Sequence, residues 1–325
     1  MSSTATFHQG IYKSDLVRRV ARWLEATPHP PLAIEISQDR VAGARWTRTG
    51  SVDGYGVEVL PPGALVPSAV ETNIMNAAAL KAAVASVCTR LRAKDETVAL
   101  ILPDPVIRVF VQHFDDFPRS KAEADPLLRW KLKKSVPFEV DETLISYMRQ
   151  SPREQGVDVV TALARQRIVR EYESLVEAAG LRPGVVLSSA LAAIALVDEH
   201  RPTLLARVSG PSLTTAIVRE GVLCGYRCTE LPAQNVGLTP QMLLEEIFPV
   251  AAYYQDTWRE GIQSVRVAGL GHRLPDFVGP LEDEFKCEVR SLLHTAVAEG
   301  RVPEEAQALA DREADGLVGW MLHRN

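Results

Sequence analysis

Val98-Ala99-Leu100-Ile101-Leu102-Pro103 and, further along, Leu128-Arg129-Trp130-Lys131-Leu132-Lys133-Lys134-Ser135-Val136-Pro137-Phe138-Glu139-Val140-Asp141-Glu142 are the two stretches that decide how this chain folds. The first is an unbroken apolar run that follows a helical pattern and is closed by Pro103-Asp104-Pro105, which reads as a buried strand. In the second, Leu128, Trp130 and Leu132 lie on a helix whose other face carries Lys131, Lys133 and Lys134. Pro137 breaks that helix. Phe138 packs back, and Glu139, Asp141 and Glu142 return to solvent. The lysines read as a solvated face.

Working outward, Leu16, Val17, Val20 and Leu24 recur at helical spacing in a short helix over 14–24. Ser14 or Asp15 caps it, and Pro28, Pro30 and Pro31 end it. Leu32–Ile36, Val41–Thr47 and Val57–Leu60 read as a three-stranded meander. Leu80, Ala83, Val84, Val87 and Leu91 line one face of the helix that precedes Val98. After Pro103 the pattern gives a strand from Val106 to Phe114, a helix from Ala122 to Lys134, and strands at Leu144–Arg149 and Val157–Ala164. A helix over Ile168–Ala179 follows, with Gly180 placed to terminate it. The second half repeats this outline. Leu204–Val208, Leu213–Val218 and Val222–Arg227 form another meander, followed by a helix over Pro240–Trp258, a strand at Ser264–Ala268, a helix at Pro280–Phe285 and a helical stretch over 303–323. Two halves that each open with a meander predict an α/β chain with an internal duplication.

The 325 residues are enough for a bilobed unit. Hydrophobic residues at 46% and charged residues at 24% exclude a disordered or fibrous chain. A net charge of -5 excludes broad attraction to nucleic acid. Lys13, Arg18, Arg19 and Arg22 form a local basic exception that reads as a solvated helix face, with contact to anionic lipid as the rival. Cys224 and Cys228 have no second ligand pair at similar spacing, so with Cys88 and Cys287 they read as small buried hydrophobes in a reducing compartment rather than a zinc site. No stretch is apolar over the ~18 residues that suggest a membrane helix. The start, Met1-Ser2-Ser3-Thr4, lacks the apolar core of a secretion signal, so the expected location is the cytoplasm.

The order and spacing of Val98–Pro103, Asp116-Phe117-Pro118-Arg119, Leu128–Glu142 and Ala178-Ala179-Gly180-Leu181-Arg182-Pro183 resemble the PilM family of type IV pilus assembly proteins. The resemblance runs from about 31 to 322 and is most specific in the middle. It implies a bilobed actin-like fold (ribonuclease H-like, related to FtsA) with a subdomain inserted in the first lobe. The implied division is an N-terminal extension at 1–30, a first lobe at 31–202 with its insert at about 97–165, a second lobe at 203–304, and a C-terminal helix at 305–325 that returns to the first lobe.

The resemblance also implies where a nucleotide would sit. Such folds hold phosphates between hairpin turns, one from each lobe, and the implied cofactor is ATP with Mg²⁺. The candidate residues are Glu35 and Ser37 in the first lobe, Ser209, Gly210, Ser212 and Thr214 in the second, and Gly269 and Gly271 on the purine side. All three loops depart from the family pattern. Glu35 stands where Asp is expected, Ser37 where Gly is expected and Ala42 where Lys is expected. Arg207 puts a cation where a metal-orienting carboxylate belongs, and Pro211 lacks an N–H. Leu270 stands where the second purine-side Gly is expected. These departures predict a degenerate site with no catalytic residue, no metal site and no significant ATP turnover. No G-x-S-x-G, H-E-x-x-H or Walker lysine supplies another chemistry.

The implied function is a scaffold of the pilus inner-membrane platform, tethered by the cytoplasmic N-terminal peptide of a PilN-like membrane protein, by strand pairing or in an apolar groove. It would be peripheral at the inner membrane, without nucleic acid. Two rivals remain. One is an active actin-like ATPase or sugar-kinase relative, against which Glu35 with Arg207 argue. The other is the cytoplasmic domain type of the secretion-system L proteins, which is normally fused to a transmembrane helix.

Overall fold

The computed structural model describes residues 29–47, 51–152, 156–197, 200–231, 237–310 and 312–322. The helix expected over 14–24 and its basic residues lie outside them. The first lobe is built on a five-stranded sheet. Its strands are β1 (Leu32–Ile36), β2 (Arg40–Trp46), β3 (Val52–Val59), β4 (Thr97–Leu102) and β8 (Arg182–Ser188), in the order β3-β2-β1-β4-β8. The meander is antiparallel and the pairs β1–β4 and β4–β8 are parallel. All five residues of β1 are buried, as are Val98 to Leu102 of β4, because helices cover both faces. Helices α1 (Ala77–Arg90) and α3 (Gln166–Ala178) pack on each other, with α1 against β2 and β3 and α3 against β8. The other helical layer is α4 (Ser189–Ala193) and the last helix, α9 (Asp315–Leu322), which packs on α4, β1 and β2.

The segment between β4 and α3 forms a separate three-stranded antiparallel sheet of β5 (Arg108–Phe114), β6 (Thr143–Pro152) and β7 (Val157–Arg165), in the order β5-β7-β6. Helix α2 (Lys121–Leu132) lies against it through Ala124, Leu128 and Leu132. This inserted sheet begins at Arg108 rather than near residue 97, because Thr97–Leu102 is hydrogen-bonded between β1 and β8 in the first-lobe sheet. Its edge meets the second lobe. Gln150 Nε2 donates to Leu223 O at 2.8 Å, and Leu223 N donates to Gln150 Oε1 at 2.7 Å, so a side-chain amide stands in for a strand neighbour.

The second lobe repeats the first sheet. Strands β9 (Thr203–Ser209), β10 (Ser212–Arg219), β11 (Val222–Glu230), β12 (Ser264–Ala268) and β13 (Glu288–Ser291) run in the order β11-β10-β9-β12-β13, again an antiparallel meander continued by parallel strands. Helices α5 (Pro240–Trp258) and α6 (Leu274–Phe285) cover one face over the core of Leu204, Ala206, Ile247, Tyr254, Val265 and Phe277. Helix α6 starts six residues before the expected Pro280, because Pro275 sits in its first turn, where a missing N–H costs nothing. Helix α7 (Leu292–Ala298) packs against β12 and β13. The helical stretch expected over 303–323 is broken: α8 (Gln307–Ala310) ends at a turn with Glu313 at φ 54°, and α9 starts afresh at Asp315.

Candidate functional site

The cleft between the lobes is filled at its centre by one side chain, Arg207, from β9 of the second lobe. It is surrounded by three carboxylates presented from the first-lobe side. Arg207 Nε lies 2.6 Å from Asp315 Oδ2, Nη1 lies 3.0 Å from Asp104 Oδ2, and Nη2 lies 3.3 Å from Glu35 Oε1. All four side chains are at most 4% exposed. Glu35 comes from β1, Asp104 from the single helical turn that follows β4, and Asp315 from the first turn of α9.

Glu35 and Asp104 have further donors. Ser189 Oγ donates to Glu35 Oε1 at 2.7 Å and Leu317 N donates to Oε2 at 3.2 Å. Ala190 N donates to Asp104 Oδ1 at 2.7 Å, and Thr214 Oγ1 donates to Oδ2 at 3.0 Å. The last helix can approach this closely because residue 316 is glycine. A Cβ there would fall 2.6 Å from Glu35 Oε1. Burial works against the Arg207 charge, but Asp315, Asp104 and Glu35 outweigh it and hold its pKa well above the ordinary value. Burial pushes the Glu35 carboxyl up from its ordinary range, with Arg207 opposing and Asp315 adding. Near the cluster, burial and then Asp104 push the Cys228 thiol up to about 12 and the Tyr226 phenol well above its usual value. Neither is a nucleophile at neutral pH.

The candidate residues fall into three places. Glu35 and Thr214 join the Arg207 cluster. Ser37, Ser209, Gly210 and Ser212 form the two hairpin turns: Ser37 N donates to Arg40 O at 2.8 Å, and Ser209 pairs with Ser212. These turns touch. Gly210 has φ 58°, and a Cβ on it would lie 2.2 Å from Gln38 Oε1 of the opposite turn. Gly269 and Gly271 line a cavity of about 510 Å³ beside the cluster, together with Leu270, His272, Glu313 and Asp315. Nothing in the sequence marks Asp104, Asp315 or Ser189 as site residues. Asp104 stood in view between Pro103 and Pro105 as a strand terminator, and nothing local marks Asp315.

These residues do not fit Mg²⁺ with phosphate. The position between the carboxylates is filled by a guanidinium, which repels a divalent cation. Among the described residues no group of three His, Cys, Asp or Glu side chains is placed to hold a metal ion. Gln38 lies between the turn tips where phosphate oxygens would approach. The neighbouring cavity has Glu313 and Asp315 in its lining beside His272 and His294, with no described lysine or arginine, so two carboxylates face any triphosphate there.

The architecture is shared with PilM of the PilM-PilN type IV pilus biogenesis complex. The two align with a TM-score of 0.69 at 17% identity, over 91% of this chain and 99% of that one. The chain has the bilobed actin-like fold of PilM. Weaker likenesses are to the cytoplasmic domain of EpsL from the Vibrio cholerae type II secretion system (TM-score 0.46, 13% identity, 73% of this chain and 80% of that one) and to EutJ from Carboxydothermus hydrogenoformans (TM-score 0.47, 9% identity, 94% and 98%). No family model and no curated protein sequence matches the chain. Within the actin-like frame, β5–β7 with α2 are a subdomain inserted between β4 and α3, and Arg207 sits near the end of the first strand of lobe two. Among the described residues no helix is long and apolar enough to cross a membrane.

Proposed function

We propose that this chain is a scaffold of a type IV pilus inner-membrane platform that binds the cytoplasmic peptide of a PilN-like membrane protein and does not turn over ATP. The observation that carries the non-hydrolytic part is the Arg207 cluster, in which an internal cation takes the place between the lobes that the resemblance gives to a metal and phosphates. A nucleotide cycle needs a cleft that opens and closes around its ligand. Here the clasp closes with side chains alone, and the Gln150–Leu223 pair ties the insert to the second lobe as well. The likeness to PilM over nearly the full length of both chains supports the choice of assembly and partner.

A peptide of about ten residues that binds with micromolar affinity gains about 8 kcal/mol, more than scattered surface lysines gain at a membrane. Calorimetry of the full chain with the N-terminal cytoplasmic peptide of a co-encoded PilN-like protein should give a saturable micromolar Kd. In the same preparation, phosphate release from Mg-ATP should stay at the buffer rate. Mg²⁺-dependent release that Glu35→Ala abolishes, or the lack of any peptide binding, would overturn the proposal.

A further inference from the structure

Helix α2 of the inserted subdomain carries two stripes. Ala124, Leu128 and Leu132 are buried against the inserted sheet. At about 100° per residue, the stripe on the opposite side is Glu123, Pro126, Trp130 and Lys133. All four are exposed, and Trp130 is 76% exposed. Pro126 and Trp130 are one turn apart, so they form one apolar step in the middle of the stripe. An aromatic side chain held in water on a well-packed helix marks a contact surface.

The charges that flank the stripe are used within the chain. Lys121 pairs with Asp125 at 2.6 Å. Lys131 lies 3.7 Å from the centre of the Phe114 ring and donates to His113 O at 3.0 Å. Arg129 Nη2 donates to Thr143 O at 3.0 Å. On the stripe itself, the Glu123 and Lys133 side chains have no partner among the described residues.

This stripe is complementary to itself. A second copy laid antiparallel across it, about a two-fold axis level with residue 128, sets Pro126 against Trp130 and Glu123 against Lys133, because both pairs are centred on that residue. Each contact then occurs twice by symmetry. A groove of about 440 Å³ between α2 and the Val140–Asp141 turn, lined in part by Pro126, Trp130 and Val140, gives the indole of the other copy a place to enter. An anionic lipid surface fits less well, since Glu123 and Asp141 would face it along with Lys133.

We infer that the Glu123–Pro126–Trp130–Lys133 stripe is a contact between two copies of this chain, packed antiparallel. One helix face covers less than the roughly 800 Å² per partner of a standard interface, so the contact is weak between free chains. It strengthens where copies are held side by side, at effective concentrations of about millimolar. The contact lies apart from the Arg207 cluster and goes beyond the peptide-binding reading, which it does not need.

Sedimentation equilibrium of the full chain tests it. The expected result is a monomer–dimer equilibrium with a Kd on the order of 100 µM, weakened about tenfold or more by Trp130→Ala. Glu123→Lys alone and Lys133→Glu alone each set like charges opposite one another twice, and both variants should stay monomeric. An equimolar mixture of the two restores opposite charges at both contacts and should restore the dimer. These positions are exposed, so the variants keep the fold. A parent that stays monomeric, a dimer that Trp130→Ala leaves unchanged, or a mixture that fails to associate overturns the inference. A monomeric chain that binds anionic vesicles through Lys133 also overturns it and gives the face to a membrane.

Discussion

The two ends of the second-lobe sheet carry charge clusters of different build. At the cleft end one guanidinium, Arg207, sits among three carboxylates, each of them buried. At the far end, Arg201, Arg266, Arg290 and Arg301 share Glu288 and Glu299. The difference is in how the remaining polar atoms are used. Around Arg207, backbone and hydroxyl donors from Ser189, Ala190, Leu317 and Thr214 add to the Glu35 and Asp104 carboxylates. Around Arg266 the pairing is looser: Nη2 lies 3.4 Å from Glu288 Oε2 and Nη1 donates to Val265 O at 3.3 Å. The first cluster is complete without a ligand and works as an interlobe clasp. The second is held through one shared carboxylate, Glu288, and its outer members Arg290 and Arg201 are partly exposed.

Removing the cation at the cleft end breaks this contrast most strongly. Arg207→Met leaves three carboxylates buried without a counterion. Taking one partner from a buried ion pair costs about 3–5 kcal/mol. Urea melts should show a loss of that order, and the melting temperature should recover partly on acidification as the carboxylates take up protons. A variant as stable as the parent at pH 7 would mean that the cleft is not held by this cluster.

The mirror experiment at the far end is Glu288→Gln. It removes the carboxylate that three guanidiniums share, yet Glu288 and Arg290 are partly exposed, so water relieves part of the loss. The expected cost is about 1–3 kcal/mol, read from urea melts at pH 7. A variant as stable as the parent would show that the Glu288 carboxylate does not hold the far-end cluster together.

The frame of this contrast was readable from sequence, and the contacts were not. Val98–Leu102 read as a buried strand because the run was apolar and closed by proline, and it lies between β1 and β8. Both meanders announced themselves by alternation. Strand β8 was missed because Pro183-Gly184 looks like a turn. Gly184 is instead where the strand presses on Thr97, whose Cγ2 would be 2.3 Å from an added Cβ. Arg207 was visible as a cation in a carboxylate's place, but only as a loss. Its partners Asp104 and Asp315 are 103 and 108 residues away, and no periodicity links residues so far apart. Strand β13 fell below notice at four residues, and with it the register that sets Arg266 beside Arg290.

The finest probe of the comparison is Glu35→Gln, because the cleft cluster holds more negative charge than Arg207 alone can balance. Burial raises the Glu35 pKa above its ordinary 4.5. Between 4.5 and the folded-state value the unfolded chain has released the proton while the folded chain still holds it. Stability therefore falls as pH rises through that window and levels off above it. Glutamine keeps the shape and one carbonyl acceptor while removing the titration, and Asp104 and Asp315 still hold Arg207. The stability of Glu35→Gln relative to the parent should then rise with pH from 4.5 upward and level off once the folded-state carboxyl is ionised. Parallel pH profiles for the two proteins would show that Glu35 is fully ionised in both states. The three carboxylates would then be balanced by Arg207 and its neighbouring donors, without the surplus argued for the cleft end.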